Sequence, residues 1–372
     1  MSQSQHSGRA AVAQFGLGCL HLVPALASEH GIRVSGWLGK FGELLGHMQG
    51  VTGVTTWHTP LRDGDDPELR DLVPWFAQGR AADSGSHDLG CQFTLTVDRA
   101  LLDSLGPLFR GLGRYPGSID VNISYIRDTP VMIASTREDH GEATGTTALD
   151  IVRHHLALQV EDSEMMLDVL EPAPFPADFR VFERQPGSEA DQVVTVDIET
   201  RPGFDLVDIE VETYGATDEM LDHVLYQVAQ ETDDYYGLEL AVADAERRWA
   251  AVIAGFNGFI TRHRTRRFSF GGGSTDIRDL MLGFVETKAA ILAERHALLA
   301  QVEKARNSDV GVLSGYIVER FERLPDFPFD EYTRMLEFLE GRRTQRSDAF
   351  IALVSALIGG LVGSLYVLFG GY

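Results

Sequence analysis

Apolar and polar positions alternate most cleanly between residues 91 and 213. Phe93, Leu95 and Val97 are interleaved with Thr94, Thr96 and Asp98, and Ile119, Val121, Ile123 and Tyr125 with Asp120, Asn122 and Ser124. A period of two marks strands with one wet and one buried face. Runs at 131–135, 179–182, 194–199 and 207–213 read the same way, with Asp208, Glu210 and Glu212 facing out of the last. Between them, 99–112 reads as a helix interrupted at Pro107, and 147–171 as further helix. One wet face implies an antiparallel or mixed sheet with helices on one side. The order strand-helix-strand-strand-helix-strand over 91–185 fits a ferredoxin-like split βαβ unit. The expected fold class is α+β.

Outside that block the period changes. Residues 9–58 are apolar and glycine-rich, with helical spacing at Trp37, Phe41, Leu44 and Leu45. Residues 10–27 end in Ala25-Leu26-Ala27, which resembles a signal-peptidase site. Only Arg9 leads the stretch, and Gln14 and His21 interrupt it, so it is read as a core or surface helix. Residues 59–90 mix Pro, Gly and charge and read as loop with a short helix. From 217 onward the chain is helical: 217–231 and 238–263, parted by a polar break at Asp233-Asp234-Tyr235-Tyr236, then 274–306, 310–323 and 330–346. The third of these carries a stripe of Met281, Phe284, Val285, Ile291, Leu292, Leu298, Leu299 and Val302, broken by Lys288 and Arg295. The expected domains are 1–90, an α+β sheet domain at 91–214, a helical domain at 215–346, and a tail at 347–372.

That tail changes the picture. Residues 349–369 contain no charge and no proline, and as a helix would reach roughly 31 Å at 1.5 Å per residue, the depth of a bilayer core. The expectation is a C-terminal transmembrane helix: a single-pass, tail-anchored membrane protein with the lipid bilayer as its first partner. Arg342, Arg343 and Arg346 precede the run, which places the bulk of the chain in the cytoplasm. Within the run, Ser355, Gly359 and Gly363 lie four apart, as do Ala352, Ala356 and Gly360. Such small-residue ridges let helices approach closely and predict a homo-oligomer.

Composition adds a solvent. The formal charge is −23, and of 32 basic residues only Lys40, Lys288 and Lys304 are lysine. Carboxylates in such excess with so little lysine suit a halophilic setting, where salt screens them. They also argue against a nucleic-acid partner. Two cysteines, Cys19 and Cys91, exclude a disulfide framework and a four-cysteine zinc site.

Three constellations carry candidate chemistry. Arg262, Arg264, Arg266 and Arg267 precede a glycine run and then Ser274 and Thr275 at a helix start, where guanidinium and backbone N–H groups could hold a phosphate or lipid headgroup. The favoured reading is plainer: a helix end stabilised by cations, followed by a turn. Glu138, Asp139 and His140, with His154, could bind a divalent cation, though without metal-site spacing. Catalytic signatures such as G-x-S-x-G and C-x-x-C are absent from the sequence, so no catalytic residue or cofactor is assigned. The reading is a membrane-anchored accessory or sensor protein, non-enzymatic and self-associating through its tail helix, with an unidentified protein partner. An alternative is a transporter-type assembly. The order α/β domain, long helices, then a stalk into a membrane helix resembles in outline the CorA-type magnesium channels, although their Gly-Met-Asn signature is missing. A phosphate-ligand or nucleotide-dependent enzyme using 262–275 is the third.

Overall fold

The computed structural model describes residues 10–24, 34–59, 88–112, 115, 117–126, 129–137, 144–161, 163–184, 194–212, 217–265, 273–307, 311–341 and 355. The fold is α+β. Nine strands form one mixed sheet: β1 (Ala13–Pro24), β2 (Val51–Thr59), β3 (Asp88–Thr96), β4 (Ser118–Ile126), β5 (Thr129–Thr136), β6 (Met165–Leu170), β7 (Ala177–Arg184), β8 (Val194–Arg201) and β9 (Phe204–Glu212). Their order is β2-β3-β4-β5-β1-β7-β9-β8, with β6 also on β1. Among the described residues only β7 and β9 run parallel. The helices are α1 (Val34–His47), α2 (Arg99–Leu105), α3 (Pro107–Arg110), α4 (Thr144–Val160), α5 (Thr217–Thr265), α6 (Gly273–Arg306) and α7 (Ser314–Glu322), followed by α8 at 329–341. The chain divides into two compact units, Met1–Ala241 with Leu298–Arg323, and Val242–Ala297 with Leu324–Tyr372.

β1 organises the first unit, and it corrects the helix expected at 10–27. Phe15, Leu17 and Cys19 are buried on one face, while Leu20 and Leu22 join the core on the other. A strand buried on both faces shows no polar alternation, so its apolar run cannot be told from a buried helix by period. On the second face Gly16 and Gly18 admit α4. A Cβ on Gly16 would overlap the Gly145 carbonyl, and one on Gly145 would overlap Phe15. Along one edge β1 pairs β5 from Gln14 to Cys19. Where β5 ends, the Trp37 indole donates to the Leu22 carbonyl at 3.1 Å.

The split βαβ unit is not what forms. β3, β4 and β5 are sequential antiparallel neighbours, and β1 inserts between β5 and β7, so the expected block is a meander completed by a strand from outside it. Residues 165–170, expected as helix, form β6 on the far half of β1. The interruption at Pro107 is present: Asp98 caps α2 through its side chain at 2.7 Å, and Pro107 opens α3 after Gly106. Pro202 and Gly203, the latter at φ 93°, turn β8 back into β9, the position that favours glycine.

The transmembrane helix is corrected. Among the described residues no helix is long and apolar enough to cross a membrane. The long helices α5 and α6, of 49 and 34 residues, carry charged residues along their length and bury only part of their surface. The membrane, single-pass and tail-anchor expectations therefore have no helix to stand on among these residues. The 349–369 run that prompted them lies outside the described residues except for Ser355.

Candidate functional site

Two features of the helical half stand out, a buried junction in the first unit and an exposed row in the second. The junction starts at a gap in the sheet. β1 pairs β7 at Ala13–Phe15 and β6 from Cys19 to Pro24 on the same edge, and residues 171–176 loop out between them. Phe175 N–H bridges the gap by donating to the Leu17 carbonyl at 2.7 Å. Tyr236 of α5 fills the rest. Its hydroxyl donates to the Pro172 carbonyl and accepts the Cys19 N–H. Phe175 in turn meets the rings of Tyr235 and Tyr316 edge-on, at centroid distances of 4.9 and 5.2 Å.

Ion pairs and hydrogen bonds then fasten α5 to α7. Arg320 makes a bidentate pair with Glu239 at 2.5 and 2.8 Å. Glu231 accepts the Leu313 N–H at 2.5 Å, and Tyr316 donates to Asp205 of β9 at 2.7 Å. The polar break expected at 233–236 is thus inside one continuous helix. Its residues are buried, and that packing carries the helix on through Gly237, the residue that costs a helix interior about 1 kcal/mol.

The chemistry of this junction is that of a fastening. Burial pushes the Cys19 thiol well above its usual range, helped by Asp233 and Asp168. Burial likewise raises Tyr236 and Glu231. A thiol and phenol held protonated are poor nucleophiles and bases. A second buried carboxylate, Asp178 of β7, accepts the Thr146 N–H at 2.7 Å and its hydroxyl at 3.2 Å, at the N-terminus of α4. Burial pushes it up to about 6 against those bonds and the Arg180 charge. Arg180 itself is bidentate to Asp208, its cross-strand partner, at 2.7 Å on both arms.

In the second unit α6 presents two rows. The inner row packs Ile277 and Phe284 with Phe256 and Phe259 of α5 and with Phe329 and Leu336 of α8. Trp249 touches the rings of Phe284, Phe327, Phe329 and Tyr332 at 4.9 to 6.0 Å, and Lys288 ties α6 to Asp330 at 2.7 Å. The outer row is Leu282, Val285, Ala289, Leu292 and His296. All five are exposed, Leu282, Val285 and Leu292 by 56, 57 and 54%. Steps of three and four along a helix form the seam that packs against another helix. The sequence signal for it was present but merged. The stripe expected on 274–306 combined both rows, and only the observed burial separates Val285 and Leu292 from Phe284.

The constellations expected from sequence are not brought together among the described residues. Arg262 is exposed on the last turn of α5. The side chains of Arg264, Ser274 and Thr275 lie outside the description, as do Arg266 and Arg267 altogether. Glu138, Asp139 and His140 also lie outside it. His154 packs its ring on Phe109 at 4.9 Å, with Nδ1 2.8 Å from the Asp150 carbonyl, and no group of metal-ligating side chains occurs among the described residues. Of the tail positions, Ala352, Ala356, Gly359, Gly360 and Gly363 lie outside the description, while Ser355 is helical and exposed. No family model matches the chain, and no curated protein or solved structure is significantly similar to it.

Proposed function

We propose that this chain is a non-enzymatic accessory or sensor protein that works by self-association through its helical unit. The observation that supports it is the outer row of α6. Five positions in 3-4 alternation, three of them large and apolar and more than half exposed, lie on a helix whose neighbouring row is already packed. Exposed apolar side chains in one register cost solvation unless something covers them. Within the first unit, Tyr236 and Arg320 fasten α5 to the sheet side and to α7. Light scattering of the eluting full chain tests this. Wild type is expected to run as a dimer or larger and Leu292→Glu as a monomer. Equal masses for the two would refute it.

A further inference from the structure

In the first unit, His155 lies in the C-terminal half of α4 and is only 2% exposed. Its Nε2 is buried without a hydrogen-bond partner, while Nδ1 donates to the Gln49 carbonyl. A carbonyl only accepts, so Nδ1 carries the hydrogen and the lone pair on Nε2 faces the interior. Gln49 belongs to the turn between α1 and β2, whose three carbonyls are divided. Met48 accepts the Val51 N–H at 3.3 Å, Gly50 accepts the Thr96 N–H of β3 at 2.8 Å, and Gln49 accepts the imidazole. The first two bonds hold the turn to itself and to the sheet. The third ties it to α4.

Among the described residues no counter-charge acts on this ring. β1 and β5 turn Gly16, Gly18, Met132 and Ala134 toward α4, and β6 turns Leu167 and Val169, none of which titrates. β7 brings Asp178 and Arg180 to the other end of the helix, where Thr146 is about 14 Å along the axis from His155. On α2 and α3, Arg99 pairs with Asp103 and Arg110 bonds the Asp103 carbonyl, all of them exposed. Glu43 and His47 of α1 are exposed too. Within α4, His154 packs on Phe109, and Asp150 is drawn to His154 and Arg153. Burial therefore lowers the His155 pKa, and the Gln49 carbonyl offsets only part of that. A proton on Nε2 would create a buried cation whose new N–H has no acceptor, and access to water relieves both costs.

We propose that His155 is an acid-released latch, in which proton uptake at Nε2 undocks the C-terminal half of α4 from the α1–β2 turn while the sheet stays folded. With the folded-state value lowered, the closed form is favoured above the ordinary 6.5 and loses that advantage as pH falls. Asp178 acts in the opposite sense. Raised to about 6, it takes up its proton in the closed form, so the N-terminal turn of α4 holds over the same interval.

Amide hydrogen exchange of the full chain at about pH 7 and about pH 5 tests the latch, expressed as protection factors so that the intrinsic pH dependence of exchange cancels. Protection over 48–51 and 151–160 is expected to fall on the order of ten-fold, the factor for one proton that binds the open form first. Gly145 and Thr146 should keep theirs. His155→Gln and His155→Met cannot take up the proton and should stay protected at both pH values. No loss in wild type, an equal loss in a folded variant, or a loss spread evenly over the first unit would overturn the latch. Imidazole NMR of the wild type needs no variant: His155 should gain its proton only as that protection is lost. A ring that titrates near the ordinary 6.5 with both segments still protected would overturn the latch as well. The mass of the assembly and the α6 row enter none of these outcomes, so self-association stands or falls separately.

Discussion

Asp178 shows how much one residue contributes to both fold and response. Its carboxylate holds the first turn of α4 through Thr146, yet burial raises it from the ordinary 3.8 to about 6. A carboxyl raised in the folded state favours folding below its unfolded value, and that advantage is lost as pH climbs through about 6. Asp178→Asn keeps an acceptor for Thr146 and removes the charge. The difference in unfolding free energy between wild type and this variant should therefore shift by on the order of 3 kcal/mol from about pH 3 to about pH 7. Denaturant titrations across that range check it, and a pH-independent difference would contradict it. Next to it, Gly145 lets α4 touch β1. Gly145→Ala would drive a methyl into the Phe15 backbone and should cost about 1–3 kcal/mol or more, as overpacking against an immovable neighbour does. Tyr236→Phe would strip the Cys19 N–H and the Pro172 carbonyl of their shared hydroxyl, at about 1–3 kcal/mol.

At the scale of elements, the helices of the second unit depend on aromatic packing more than on propensity. Phe284 is buried between Trp249, Phe329 and Tyr332, so Phe284→Ala should cost about 3–5 kcal/mol. Leu292→Glu, on the outer row of the same helix, should leave folding within about 0.5 kcal/mol of wild type at concentrations below the association midpoint, where neither chain is paired. Thermal unfolding of the two variants separates the rows. What the sequence made legible follows the same physics. Strands with one polar face, such as β3 and β4, announced themselves by alternation, and Pro107 marked its own helix break; β9 alternates too, but Asp208 and Glu212, expected to face out, are buried against Arg180 and Arg184. β1 was hidden because both of its faces are buried, and β6 because Met165–Leu170 is apolar enough to pass for the end of α4. The buried run at 233–236 looked like a break because burial, not composition, decides whether Asp and Tyr belong inside a helix. Of the outer row of α6 only Val285 and Leu292 fell in the expected stripe, while Leu282, Ala289 and His296 did not, since a one-dimensional stripe cannot say which of two adjacent rows has a partner.

The whole molecule is an acidic body with an apolar row on one helix. At −23 per copy, two copies repel, and the Debye length falls from about 10 Å at 0.1 M salt to about 3 Å at 1 M. Self-association should therefore tighten as salt rises, opposite to the behaviour of a contact made by complementary charges. Sedimentation at low and high salt reads the sign directly. The most direct test of the central claim is hydrogen exchange of the full chain at concentrations below and above its association midpoint. Slower amide exchange confined to 282–296, with the sheet unchanged, is the predicted result. No concentration dependence there, or protection that maps to another element, would contradict the assignment of α6 as the contact.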